Sequence, residues 1–175
     1  MLIIIEKAVD SDVCAVAALY DRVSDHFAQT INYCAPEWQK GSYPTLADAQ
    51  CAFDEGSLYV AKRNRQVCVA CTIDRNTYFT VELPWGIEAG DRDCVIAHTL
   101  AVDPALRGKG YGKAMVDFAI AQGLKTHALA LRLSTHQINI PACALYRKCG
   151  LKHICDWTGD AGSGIDTYSV FEYVY

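Results

Sequence analysis

Two periods of apolar residues alternate along this chain, and the switches between them mark out its elements. The opening MLIIIEKA reads as a first strand. Asp10 or Ser11 can cap a helix in which Val13, Val16, Ala17, Tyr20, Val23 and Phe27 recur at three and four, the mark of an amphipathic helix lying on a sheet. Ala28 to Pro44 has no clear period and reads as loop. Thr45 and Asp48 then form a capping box for a short helix carrying Leu46, Ala49 and Phe53. Ser57 to Lys62 and Gln66 to Asp74 flank a polar turn near Asn64 and read as a hairpin. Tyr78 to Trp85 is an extension or loop, and Cys94 to Val102 a buried strand. A helix runs from Gly110 to about His127, with Met115, Val116, Ala119, Ile120 and Leu124 on one face. Leu129 to Ser134 is a strand, Pro141 to Cys149 a helix and Leu151 to Cys155 a strand. Tyr168 to Val174 is a last strand after the glycine-rich turn Gly159 to Gly164.

Strands and helices thus alternate around a mixed central β-sheet flanked by helices, an α/β (α+β) domain. No repeat or interdomain linker interrupts residues 1–175, so a single domain is expected, and 175 residues suffice for one core. Hydrophobic residues make up 51% and charged residues 21%, ordinary for a globular protein. A net charge of −4 gives no electrostatic footprint for nucleic acid. MLIIIEKA meets Glu6 too soon for a secretory leader, and no stretch approaches the roughly 20 apolar residues of a membrane span. The expectation is a soluble, cytoplasmic protein without a membrane or nucleic-acid partner, a homodimer being left open. Nine cysteines are present, but Cys68 and Cys71 are the only close pair and sit in an apolar run, so free, mostly buried thiols are expected rather than a metal site.

The chemistry concentrates in Leu100 to Gly112, LAVDPALRGKGYG, where a strand meets a helix. Gly108, Gly110 and Gly112 fall at alternate positions. Without Cβ atoms they let backbone N–H groups approach an anion, and the following helix adds the positive end of its dipole. A phosphate or pyrophosphate site is predicted, the other reading being a flexible basic turn. A Walker A loop would need Gly at Arg107 and Ser or Thr at Ala114, and a dinucleotide fingerprint would need Gly at Lys113. What fits is Arg107-x-x-Gly110-x-Gly112 after an apolar strand, which resembles the acyl-CoA loop of the GCN5-related N-acetyltransferases (GNAT). A second segment, NIPACALYRKCGL, is similar to that family's other signature through Asn139, Ala142, Leu145, Tyr146 and Gly150. Asn139 stands ahead of a short helix, Pro141 suits its first turn and Gly150 the position past its end. The resemblance covers Cys94 to Cys155 closely and the rest by pattern.

The resemblance implies acetyl-CoA as co-substrate. The backbone of Leu100, Ala101 and Val102 would pair with the pantetheine arm and offer an N–H to the thioester oxygen. Arg107, Gly108, Lys109, Gly110, Tyr111, Gly112 and Lys113 would grip the pyrophosphate, while Asn139, Ala142 and Tyr146 would line the arm. Tyr146 is the expected general acid, since a phenol of pKa about 10 can donate to a thiolate whose thiol titrates near about 8.5. The alternative is that it only packs. His98 lies two residues before Leu100, and HTLAV is similar to a stretch of the arylalkylamine N-acetyltransferases whose strand histidines help remove the substrate proton. Ile96 stands where those enzymes carry a second histidine. Glu82, Glu88 and water are rival bases, and a satisfied structural histidine is an equal reading.

In the resembled family the early loops form the amine site, here Ala28 to Pro44 and Tyr78 to Gly90. Tyr33, Trp38, Tyr43, Tyr78 and Trp85 would make an aromatic wall there or simply pack. The expected activity is transfer of acetyl from acetyl-CoA to a primary amine of a small molecule by direct attack in a ternary complex. Cys143 and Cys149 occupy helix positions that do not suit a nucleophile. A protein or peptide amine as acceptor, or a non-catalytic acyl-CoA sensor, are the other readings.

Overall fold

The computed structural model describes residues 3–30, 38–77, 79, 81–160 and 165–175. The strands are β1 (Ile5–Lys7), β2 (Leu58–Arg63), β3 (Gln66–Asp74), β4 (Cys94–Val102), β5 (Ala130–His136), β6 (Lys152–Asp160) and β7 (Ile165–Val174). The helices are α1 (Val13–Thr30), α2 (Leu46–Asp54), α3 (Tyr111–Lys125) and α4 (Ile140–Lys148). The sheet has the order β1-β2-β3-β4-β5-β7-β6. It is mixed as expected: β4 and β5 are parallel, with α3 as the helical crossover that parallel neighbours require, and the other registered pairs are antiparallel. Contacts gather into two compact units, residues 1–72 with 99–115, and residues 73–98 with 116–175.

The first unit is built on the apolar stripe of α1. Val13, Val16, Leu19, Tyr20, Val23 and Phe27 pack with Ala49 and Ala52 of α2, Leu58 and Val60 of β2, Val67 and Ala70 of β3, and Ala101 of β4. One half of the capping box predicted for α2 is present, the Asp48 carboxylate accepting from the Thr45 backbone N–H at 2.7 Å and from its hydroxyl at 2.7 Å. Asn64 and Arg65 both take positive φ, 52° and 65°, which is the two-residue turn whose twist matches a hairpin. Of the glycine-rich turn expected at 159–164 and the loop expected at 28–44, residues 161–164 and 31–37 lie outside the described residues.

In the second unit β5 and β7 pair from Ala130↔Val174 to His136↔Tyr168, and β6 pairs with β7 across a bulge between His153 and Cys155. The β6–β7 hairpin is longer than the apolar run suggests. Trp157 faces Tyr168 at 5.7 Å and the hydroxyls of Thr158 and Thr167 meet at 2.9 Å, so cross-strand side-chain pairs extend the ladder where hydrophobicity alone ends it. One expected core residue is misplaced: Leu124 is 67% exposed. The inward stripe of α3 continues from Val116, Ala119 and Ile120 to Gly123, where a Cβ would collide with the Tyr175 ring and hydroxyl. The helix end therefore lies close against the C-terminal residue, and Leu124 falls on the outer face.

Candidate functional site

The β4–α3 loop belongs to the first unit. Thr99 has φ +55°, a conformation that a β-branched residue rarely adopts, and its hydroxyl lies 3.2 Å from that of Tyr43. Ala101 is buried in the unit's core, while Leu100 and Val102 are half-buried. Asp103 then organises the turn. Its N–H donates to Cys68 O at 2.9 Å, and its carboxylate accepts from Ala105 N–H at 3.0 Å and from Arg22 Nε at 3.1 Å. After a 3₁₀ turn over Pro104–Leu106 the Arg107 guanidinium lies 5.1 Å over the Phe27 ring, half-buried, and burial pulls its pKa below the ordinary arginine value. Lys109 folds back so that Nζ donates to Ala105 O at 2.8 Å.

Both cations thus brace the loop, as do their own N–H groups, which donate to Pro104 O at 3.3 Å and to Leu106 O at 3.2 Å. Gly108 and Gly110 have φ +74° and +87°, and a Cβ at either would meet no atom within 4 Å. Backbone conformation, not crowding, calls for glycine there. The helix expected from Gly110 begins at Tyr111, so Gly112 lies in its first turn. The first bond of the helical ladder is Ala114 N–H to Gly110 O at 2.9 Å, so the N–H groups of Tyr111 and Gly112 come ahead of it. The Tyr111 ring is buried, leaving its backbone as the part that can face a ligand, and Lys113 is exposed.

The second unit holds the other predicted residues. Asn139 caps α4, its Oδ1 accepting from Ala142 N–H at 3.3 Å while Nδ2 donates to Thr135 Oγ1 at 3.1 Å. That leaves one Nδ2 hydrogen and one lone pair for other partners. Tyr146 is 5% exposed and stands edge-on to Phe171 with ring centroids 5.4 Å apart, while its neighbour Leu145 is half-buried. His98 brings in a residue that sequence reasoning missed: its Nε2 lies 2.9 Å from Asp74 Oδ2, the side chains being 29% and 11% exposed. An acid closing the apolar strand 66–74 was visible in the sequence, but its pairing with a histidine 24 positions on needs three-dimensional register. Glu82 and Glu88 are both exposed.

The model of the acetyltransferase (GNAT) family matches residues 18–151, a span that contains both signatures. The chain belongs to the acetyltransferase (GNAT) family. Within it, a streptothricin acetyltransferase of Escherichia coli is 35% identical over 85 residues, 47% of this chain and 45% of that enzyme. The chain thus matches less than half the length of that curated relative. Among solved structures, a phosphinothricin acetyltransferase of Sinorhizobium meliloti in complex with AcCoA superposes with TM-score 0.74 at 17% identity, over 99% of this chain and 89% of that one. A ribosomal-protein-alanine N-acetyltransferase of Brucella melitensis superposes with TM-score 0.71 at 17% identity, covering 98% and 99%. These two likenesses carry the fold.

The remaining candidates of this GNAT chain divide between packing and other duties. Trp38 stands edge-on to Tyr20 and to Phe27, each at 6.0 Å, and so belongs to the core around α1 rather than to an aromatic wall. Trp85 pairs with Phe79 at 5.0 Å, while Tyr33 and Tyr78 lie outside the described residues. Cys143 is buried and desolvation pushes its thiol up, away from the thiolate a nucleophile needs; Cys149 sits at the end of α4. Cys68 donates its thiol proton to Ala61 O at 3.3 Å and Cys71 to Thr72 O at 3.5 Å. Among the described residues no helix is long and apolar enough to cross a membrane.

Proposed function

We propose that this protein transfers the acetyl group of acetyl-CoA to a primary amine of a small molecule, by direct attack in a ternary complex. Membership of the acetyltransferase family supports acetyl transfer. The observation that carries the cofactor side is the loop 107–112: two glycines at positive φ with open space where side chains would stand, ahead of the first turn of α3. The amides of Arg107 and Lys109 donate within the loop, to Pro104 O and Leu106 O, and those of Gly108, Gly110, Tyr111 and Gly112 suit a pyrophosphate. The match to streptothricin acetyltransferase supports a small-molecule acceptor.

Acetyl-CoA is the co-substrate and supplies an activated thioester. Residues 107–113 hold its pyrophosphate, chiefly through backbone N–H groups. The backbone of Leu100, Ala101 and Val102 pairs with the pantetheine arm and donates a hydrogen bond to the thioester oxygen, which gains negative charge as the amine adds. Asn139 and Ala142 line the arm. His98, oriented by Asp74, accepts the proton of the attacking amine, and Asp74 stabilises the resulting imidazolium. Tyr146 donates its phenolic proton to the departing sulfur. The new N–C bond replaces the S–C bond, and the amine has lost one proton while the sulfur has gained one.

The test is a panel of small primary amines, together with a peptide bearing a free N-terminus, scored for CoA release with acetyl-CoA binding measured in parallel. Small amines turning over ahead of the peptide support the proposal. Preference for the peptide replaces the acceptor, and binding without turnover of any amine makes the chain a sensor.

A further inference from the structure

We infer that Arg132 and Glu172 are positioning residues that clamp residues 85–87 and thereby hold the acceptor side of the site in a fixed shape. This rests on the reading that residues 81–90 serve the amine. Arg132 of β5 and Glu172 of β7 are registered partners, with side chains 5% and 1% exposed and Nε 2.9 Å from Oε1. A buried ion pair is an expensive way to join two strands, because two apolar residues of similar volume would commonly do as well or better. The other contacts of this pair show what it achieves. Glu172 Oε2 accepts from Gly86 N–H at 2.8 Å, Arg132 Nη2 donates to Ile87 O at 3.1 Å, and the guanidinium lies 4.1 Å from the centre of the Trp85 ring. Three consecutive residues with no strand or helix of their own are held by one ring, one donor and one acceptor.

The fit leaves no slack. A Cβ on Gly86 would stand 2.7 Å from Glu172 Oε2, so the carboxylate occupies the place of a side chain. Ile87 and Ala89 then pack on Cys94, Ile96 and Ala130, and Phe79 leans on Trp85. A stretch without ladder hydrogen bonds is ordinarily among the first parts of a protein to open. Here it is tied to two central strands by charge-assisted bonds, and it carries the exposed Glu82 and Glu88. Such a segment is a preset wall, not a lid, and a preset wall lowers the ordering cost of binding an acceptor.

The test uses the full chain with Arg132→Met and Glu172→Leu combined, which replaces the ion pair by an apolar pair. The expected result is an unfolding temperature close to the parent's, with hydrogen exchange at residues 86–87 faster by about tenfold or more while the β5–β7 amides stay protected. The acceptor KM rises by roughly tenfold, with kcat and the acetyl-CoA KM within about twofold of the parent. Gly86→Ala, which pushes the segment off the carboxylate without touching the charges, is expected to reproduce the exchange and KM changes and serves if the double variant does not fold. Slow exchange at 86–87 in a folded double variant overturns the clamp, and fast exchange with an unchanged acceptor KM overturns the positioning role. A parent that binds acetyl-CoA and turns over no amine overturns the reading of the site, and the positioning role with it, while the exchange result still decides the clamp.

Discussion

Replacing Gly110 separates what the loop costs the protein from what it does for a ligand. At φ +87° an alanine carries a backbone penalty of about 1–2 kcal/mol, and because the added Cβ meets no atom within 4 Å no clash is added to it. For a chain of this size 1 kcal/mol moves the midpoint by about 2–4 °C, so Gly110→Ala alone should lower the unfolding temperature by roughly 2–8 °C. Acetyl-CoA at a hundred times its dissociation constant stabilises the parent by about 2.7 kcal/mol, a rise of roughly 5–11 °C. Gly110→Asp combines the same backbone penalty with a negative charge facing the phosphates, so it should unfold a few degrees early and lose that rise. Gly41 is the control: its φ is +79° and its Cβ position is equally open, so Gly41→Ala takes the backbone penalty while keeping the ligand-induced rise. Thermal unfolding of the four proteins with and without acetyl-CoA is the assay. A folded Gly110→Asp variant with the parent's full rise would refute phosphate binding at this loop.

Tyr146→Phe keeps the ring that packs edge-on against Phe171 and should leave the chain folded with acetyl-CoA affinity nearly unchanged. Turnover should fall about 10²-fold or more, and activity within a factor of two of the parent returns Tyr146 to packing. His98→Gln should slow turnover by about 10²-fold or more, and Asp74→Asn, which removes the carboxylate charge 2.9 Å from His98 Nε2, should slow it less. Full rates in both variants would give the proton to Glu82, Glu88 or water. Asp156 tests electrostatics at a group with no part in the proposed chemistry: the hydrogen bonds it accepts from Ser169 Oγ at 2.7 Å and from His153 Nε2 at 2.9 Å hold its carboxyl below the usual value. The stability this adds is fully present above about pH 4, the unfolded value, and is lost as pH falls through the lower folded one. Denaturant unfolding of Asp156→Asn should therefore show a shallower loss of stability below that pH, and an unchanged acid limb would remove Asp156 from the account.

Local signals in this chain proved legible wherever the physics was local. Thr45 with Asp48 marked α2, the apolar run marked β4 residue for residue at Cys94–Val102, and Asn139 with Pro141 marked the start of α4. The glycines of the loop were readable because positive φ is a property of single residues. What escaped depended on partners distant in sequence. Leu124 looks like a core residue until Tyr175 is found against Gly123, and Asp74 is an ordinary strand-end acid until register sets it beside His98. Arg132 and Glu172 are 40 positions apart, and nothing in either neighbourhood announces that they share a loop. The roles of Arg107 and Lys109 shift for a similar reason. Basic residues around glycines suggest ligand contacts, but Phe27 and Ala105 O claim them first.

The acetyl transfer proposed above would release a free thiol, and that sets a hazard for a chain with nine cysteines: once oxidised, the coproduct would seek thiolates to cap. Burial keeps the thiols of Cys68, Cys94, Cys143 and Cys155 on the protonated side, and the Glu55 carboxylate does the same for the exposed Cys51. Mixed-disulfide formation needs the anion, so five of the eight described cysteines are poor targets for it. Cys14, exposed on the first turn of α1, is the position at which S-thiolation should be sought first when the enzyme works under oxidising conditions.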